Sequence, residues 1–201
     1  MGLTIHFKGQ LRDIKQLPAF VEEVEDIANS LDWKSHRIDK VVELDDNCPL
    51  AEERTNGGIR IRGLHVTPPK CETFCFTFAP SGKMMSLFGV LSAARYPEED
   101  FAYWLHTKTQ YAGIELHIAA ISLMRYLERK YFQYLEVSDE GQYWESNDVE
   151  LLTQRFDEYT KLIAAVKGAL EKASISPKLS ESNLIDKITE IIQKGLKDLD
   201  N

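Results

Sequence analysis

The sequence predicts an α+β sandwich, antiparallel sheets carrying a layer of helices and finished by C-terminal helices. Three observations lead there. "LTIHFKGQL" (3–11) and "ETFCFTF" (72–78) alternate residue types with the two-residue period of a half-buried strand. "LPAFVEEVEDIANSLDW" (17–33) and "IELHIAAISLMRYLERKYF" (114–132) space apolar residues three and four apart, as one helix face does. A strand–helix–strand order then recurs in both halves of the chain, as expected of helices layered on a sheet.

Taken in order, Leu3, Ile5 and Phe7 of the first strand point to the core, while Thr4, His6, Lys8 and Gln10 point away. Pro18 suits a first helical turn, and Phe20, Val21, Val24, Ile27 and Leu31 form the stripe behind it. "RIDKVVEL" (37–44) is a strand, and "TNGG" (55–58) a turn. In "GIRIRGLHV" (58–66), Ile59 and Ile61 are expected inward, Arg60 and Arg62 outward, with a bulge at Gly63. Pro68-Pro69 breaks the chain before Phe74, Phe76 and Phe78, which share one strand face opposite Thr73, Cys75 and Thr77. "KMMSL" (83–87) reads as a short hairpin partner, and 88–100 carries no assignable pattern.

Beyond it, "FAYWLHTKTQ" (101–110) reads as a strand with Trp104, His106, Lys108 and Gln110 on one face. Gly113 opens a helix, and "LEVSDEGQYW" (135–144) reads as a hairpin around Asp139-Glu140-Gly141. Asn147 with Glu150 is the expected capping pair of a helix reaching about Lys172. A polar linker, "SISPKLSESN", precedes a last helix striped by Leu184, Ile188, Ile191, Ile192 and Leu199.

Composition narrows the function classes. The 201 residues are 43% hydrophobic and 28% charged, as in an ordinary globular protein. A net charge of −8 argues against a protein built to neutralise nucleic-acid phosphates. No apolar run approaches the roughly 18 residues that span a bilayer. There is no secretory h-region, and His6 stands where an N-myristoylation motif needs Ser or Thr, so a cytoplasmic location without membrane contact is expected. Three cysteines make no disulfide framework. Cys71 and Cys75 lie about 13 Å apart along a strand, too far to share one zinc ion, and are expected to be inert thiols. No metal or cofactor is expected.

The two halves echo each other: His6-Phe7-Lys8-Gly9-Gln10 against His106-Thr107-Lys108-Thr109-Gln110, both H-x-K-x-Q and both ahead of a helix. The stretches "LTIHFKGQL", "GLHVTPPKCETFCFTFAPSGK", "HTKTQYAGIELHIAAISLMRYLE" and "EVSDEGQYWE" resemble a small group of uncharacterised bacterial proteins built as a tandem repeat of ferredoxin-like units. The resemblance implies two ferredoxin-like repeats, 1–96 and 97–174, with a linker and helix at 175–201, and implies no activity.

The strand faces turned from the helices carry the candidate ligand-binding residues: His6, Lys8, Gln10, Arg60, Arg62, His106, Lys108 and Gln110. Facing a common axis, they would make a cationic cleft for a small anion or an acidic peptide. A solvated sheet face, or two sheets docked without a cavity, explains the same pattern. The leading function is a non-catalytic binding or interaction module. The alternative is a small hydrolase or isomerase with His6 or His106 as general base and Lys108 stabilising negative charge. His65 with Glu72 is a base-and-orienter pair or a solvated loop end, and His117 a partly buried histidine bonded to backbone or Glu128. No nucleophile elbow or phosphate-binding glycine loop is present. The last helix must bury its stripe on its own chain, on a partner, or on a second copy in a homodimer.

Overall fold

The computed structural model describes residues 3–43, 50–55, 58–95 and 102–172. In order they form β1 (Thr4–Leu11), α1 (Leu17–Ser30), β2 (Lys34–Glu43), β3 (Gly58–Thr67), β4 (Phe74–Phe78) and α2 (Leu87–Arg95). β5 (Leu105–Lys108), α3 (Ile114–Tyr131), β6 (Phe132–Asp139), the single-turn α4 (Tyr143–Ser146) and α5 (Val149–Lys172) follow. The expected helix carrying Leu184 and Ile188 lies outside the described residues. The chain forms two compact units, Met1–Leu152 and Thr153–Asn201. α5 starts in the first, where Asp148 rather than Asn147 caps it by accepting from the Glu150 and Leu151 amides. In the second unit the helix carries an Arg155–Glu158 ion pair at 3.0 Å.

The fold is α+β with two three-stranded antiparallel sheets, ordered β5-β1-β6 and β2-β3-β4. Both β5 and β6 run antiparallel to β1, so β5–α3–β6 is a split β–α–β unit with β1 inserted at its centre. Pairing therefore crosses residue 96, where the sequence suggests a repeat boundary. The segment Lys83–Met85 links the sheets. The Met84 amide donates to Gly9 O of β1 (2.8 Å), while Met85 N donates to Thr77 O (2.9 Å) and Lys83 O accepts from Ala79 N (2.9 Å) beside β4.

One sheet face carries the phenylalanine core. Phe7 stacks near Phe74 and Phe76, and Phe20 of α1 meets Phe78 edge-on at 5.2 Å and Tyr131 of α3 at 5.3 Å. Fully burying each such ring contributes about 1.5–3 kcal/mol. The other face carries a second core, Ile38, Ile59, Ile61 and Met85 packed with Val90 and Ala93 of α2. Ile59 and Ile61 are thus buried as expected, but on the face opposite the phenylalanines.

That placement corrects the expectation for Arg60 and Arg62. The β3 ladder runs through Gly63 without a register shift, pairing Arg62 with Phe78 and Leu64 with Phe76. With parity unbroken, the two arginines fall on the phenylalanine face and His65 on the other. Gly63 is no bulge. It has φ +150°, and a Cβ there would lie 2.1 Å from Phe76 O, so close strand approach requires glycine.

Three other elements differ from expectation. The unassigned stretch from 88 contains most of α2. β5 is confined to Leu105–Lys108, which leaves Gln110 in a turn. The expected hairpin at 135–144 is one strand followed by α4. Gln142 adopts φ 59°, and the Asp139 carboxylate accepts from the amides of Gly141, Tyr143 and Trp144, turning the chain into a helix.

Candidate functional site

The candidate site arises where the space between β1 and β4 is filled by two short segments set end to end. β5 pairs with β1 from Thr4 to Phe7, and Lys83 bridges to Gln10. On β4's side, Lys108 O accepts from the Glu72 amide (3.3 Å) while Met85 bonds to Thr77. Cys75 lies between these two attachments. The chain leaves the sheet at Met85 directly into α2, whose first turn is capped by Ser86 Oγ accepting from the Gly89 amide (2.9 Å). α2 returns close to the chain entering β5: a Cβ on Gly89 would lie 2.6 Å from Ala102 O.

Between α2, β5 and the second face of the sheet lies a cavity of about 790 Å³ with a mostly apolar surface. Leu87, Phe88 and Gly89 form one wall, and Trp104 and Leu105 another. Its polar lining is His65, Cys75, Ser86, Ser92 and His106. Among the described residues, no Asp, Glu, Lys or Arg lines it. His65 and Cys75 are cross-strand neighbours, as are His36 and His65. Burial, and then the facing His36, hold His65 below the usual imidazole value. Burial pushes the Cys75 thiol up to about 11, and Cys71 to about 12, so both are thiols at neutral pH.

The structure brings some of the sequence-selected residues together and separates others. His6 and His106 are direct cross-strand partners, their rings 6.1 Å apart, so the two H-x-K-x-Q strands meet edge to edge. Antiparallel pairing drives their lysines apart. Lys108 stands opposite Thr4, while Lys8 lies over the Trp104 ring at 4.8 Å and pairs with Glu136 at 3.1 Å. Gln10 donates to Ser81 O. Arg60 is engaged by Asp39 at 2.7 Å on the opposite face, and Arg62 shares that face. The eight residues do not form one cluster, and His106 alone of them lines the cavity. The Glu72 carboxylate accepts from the Lys108 amide (2.9 Å). Among the described residues, no carboxylate hydrogen-bonds the rings of His6 or His106, so neither has the orienting partner of a general base.

One constellation went unseen in the sequence. His117 is fully buried between Thr109 Oγ1 at 2.7 Å from Nδ1 and Asp139 Oδ2 at 3.0 Å from Nε2. Burial pushes Asp139 up, but His117 and the amides of Trp144 and Gly141 outweigh it and hold the carboxyl below its ordinary value. The order hydroxyl–imidazole–carboxylate is that of a nucleophile relay. Thr109 and the other two side chains have no solvent access, so a substrate cannot reach the hydroxyl and the chain serves to tie β5, α3 and β6 together. The Asp-x-Gly turn at 139–141 was the only local sign of it.

Among the described residues, no group of three His, Cys, Asp or Glu could hold a metal ion, and no helix is long and apolar enough to cross a membrane. No protein-family model, curated protein or solved structure matches the chain.

Proposed function

We propose that the protein is a non-catalytic binding module that takes a small molecule into the cavity between α2, β5 and the sheet. The observation that carries this reading is the cavity itself: about 790 Å³, apolar-walled, with a few convergent polar groups. Sites for small ligands run from about 300 to 1,000 Å³ with that composition. The inert thiol of Cys75, and the lack of an oriented base among the described residues lining the cavity, favour binding over turnover. The split β–α–β unit supports a kinship with ferredoxin-like folds, while the insertion of β1 into it argues against two self-contained repeats.

The reading is tested with N-phenyl-1-naphthylamine, an uncharged dye that fluoresces when it enters an apolar site. Saturable emission is expected from the native protein, and its loss from Ser92→Trp, which fills the cavity from α2. Non-saturating emission, or emission unchanged in a folded Ser92→Trp variant, would remove the cavity as the site.

A further inference from the structure

Building on the binding-module reading, we infer that the cavity selects an uncharged, ring-bearing or otherwise largely apolar molecule with one hydrogen-bonding group, and releases it as pH falls. Trp104 and Phe88 offer aromatic surface, and Leu87 aliphatic surface. The hydrogen-bonding groups are imidazole, hydroxyl and thiol. Among the described residues the cavity offers no fixed counter-charge, so a carboxylate or sulfonate entering here would shed water at a cost of several kcal/mol for an unpaired ion. Lys8, the cation lying over Trp104, is already committed to Glu136.

The pH dependence follows from what faces the two cavity imidazoles. His65 is opposed by His36 from β2 and by Cys75 from β4. His106 is opposed by His6 from β1, with Lys8 farther along the same strand. Among the described residues, α2 adds Ser92 and its cap Ser86 to the polar lining. Among the described residues, a proton on either cavity imidazole therefore meets another histidine rather than a carboxylate. An apolar ligand lying over His65 disfavours its imidazolium further, lowering its pKa in the complex. Affinity is then full above the imidazole pKa and declines as pH falls through it. An anionic ligand would show the opposite slope, because the imidazolium supplies the counter-charge it lacks.

The slope therefore reads the ligand class. N-phenyl-1-naphthylamine and 8-anilinonaphthalene-1-sulfonate differ by one sulfonate, and both are titrated at about pH 8 and about pH 5, with near-UV circular dichroism confirming the fold. At the higher pH the neutral dye should bind at least roughly tenfold more tightly. On acidification it should weaken about three- to tenfold while the sulfonate does not weaken. The double variant His65→Gln/His106→Gln should bind the neutral dye equally at both pH values. Should that variant lose its near-UV signal, His36→Gln, which removes the histidine facing His65, should move the acid weakening to higher pH. A sulfonate dye as tight as the neutral one at pH 8, a neutral dye indifferent to acid, or acid weakening that persists in the folded double variant would each overturn the inference. Saturable binding of neither dye would instead sink the binding-module reading beneath it.

Discussion

Replacing Asp139 by alanine tests the physical account of the fold at its most demanding point. Its side chain has no solvent exposure and accepts from the amides of Gly141 (2.8 Å), Tyr143 (2.9 Å) and Trp144 (3.1 Å), besides bonding His117 at 3.0 Å. Alanine leaves these polar groups without their acceptor. Each buried orphan costs about 1–3 kcal/mol, and water entering the vacated space recovers part of the sum. A loss of about 4 kcal/mol is expected, a large share of the 5–15 kcal/mol typical of a folded domain. All three tryptophans, Trp33, Trp104 and Trp144, belong to the unit Met1–Leu152, so tryptophan fluorescence reports its unfolding. With an m-value of about 2 kcal/mol/M, the urea midpoint should fall by about 2 M at neutral pH with the slope unchanged. The carboxamide introduced by Asp139→Asn keeps one acceptor oxygen but turns a donor toward backbone donors, so that variant should fall between alanine and wild type. A midpoint shift below about 0.5 M for Asp139→Ala would refute the reasoning, since it would mean that these donors find water at no cost.

Three further predictions rest on other sites. Burial raises the Glu23 carboxyl, but hydrogen bonds from Lys130, Tyr126 and Tyr131 outweigh it and bring it to about 2. A carboxylate lowered in the folded state contributes stability above its unfolded pKa and loses it as pH falls. Glu23→Gln should therefore flatten the stability profile between about pH 5 and pH 2, by about 1–2 kcal/mol after solvent screening. Gly63→Ala would place a methyl 2.1 Å from Phe76 O, and its thermal midpoint should drop by on the order of 10 °C in a calorimetric scan. With thiols at about 11 and about 12, Cys75 and Cys71 should react with iodoacetamide at pH 7.5 roughly 100-fold more slowly than free cysteine, as read by peptide mass spectrometry.

Local pattern made much of the fold legible. Alternation in 3–11 and 72–78 and the apolar stripes of α1 and α3 each carried their own period, and the structure has strands and helices there. What failed needed information from another part of the chain. α2 looked patternless because Val90 and Ala93 are buried while Phe88 and Leu91 are exposed, so its apolar residues run around the helix instead of along one side. Alternation with Ile59 and Ile61 marks Arg60 and Arg62 as outward, but the unbroken register through Gly63 puts them on the phenylalanine face. The actual role of Gly63, close approach to β4, depends on a partner that the sequence does not name. The candidate site was legible only at His106. Its other walls come from β3, β4 and α2, which meet because β5 and Lys83–Met85 are each too short to fill the space between β1 and β4. The Thr109–His117–Asp139 chain was hidden for the same reason, its members joined by topology alone.

The central claim, that the cavity is a binding site, is tested most directly by amide chemical shifts of 15N-labelled protein titrated with N-phenyl-1-naphthylamine. Saturable shifts should concentrate at His65, Cys75, Ser86 to Ser92 and Trp104 to His106, with β6 and the outer face of α1 unchanged. Shifts centred elsewhere, or none at these residues as the dye saturates, would contradict it.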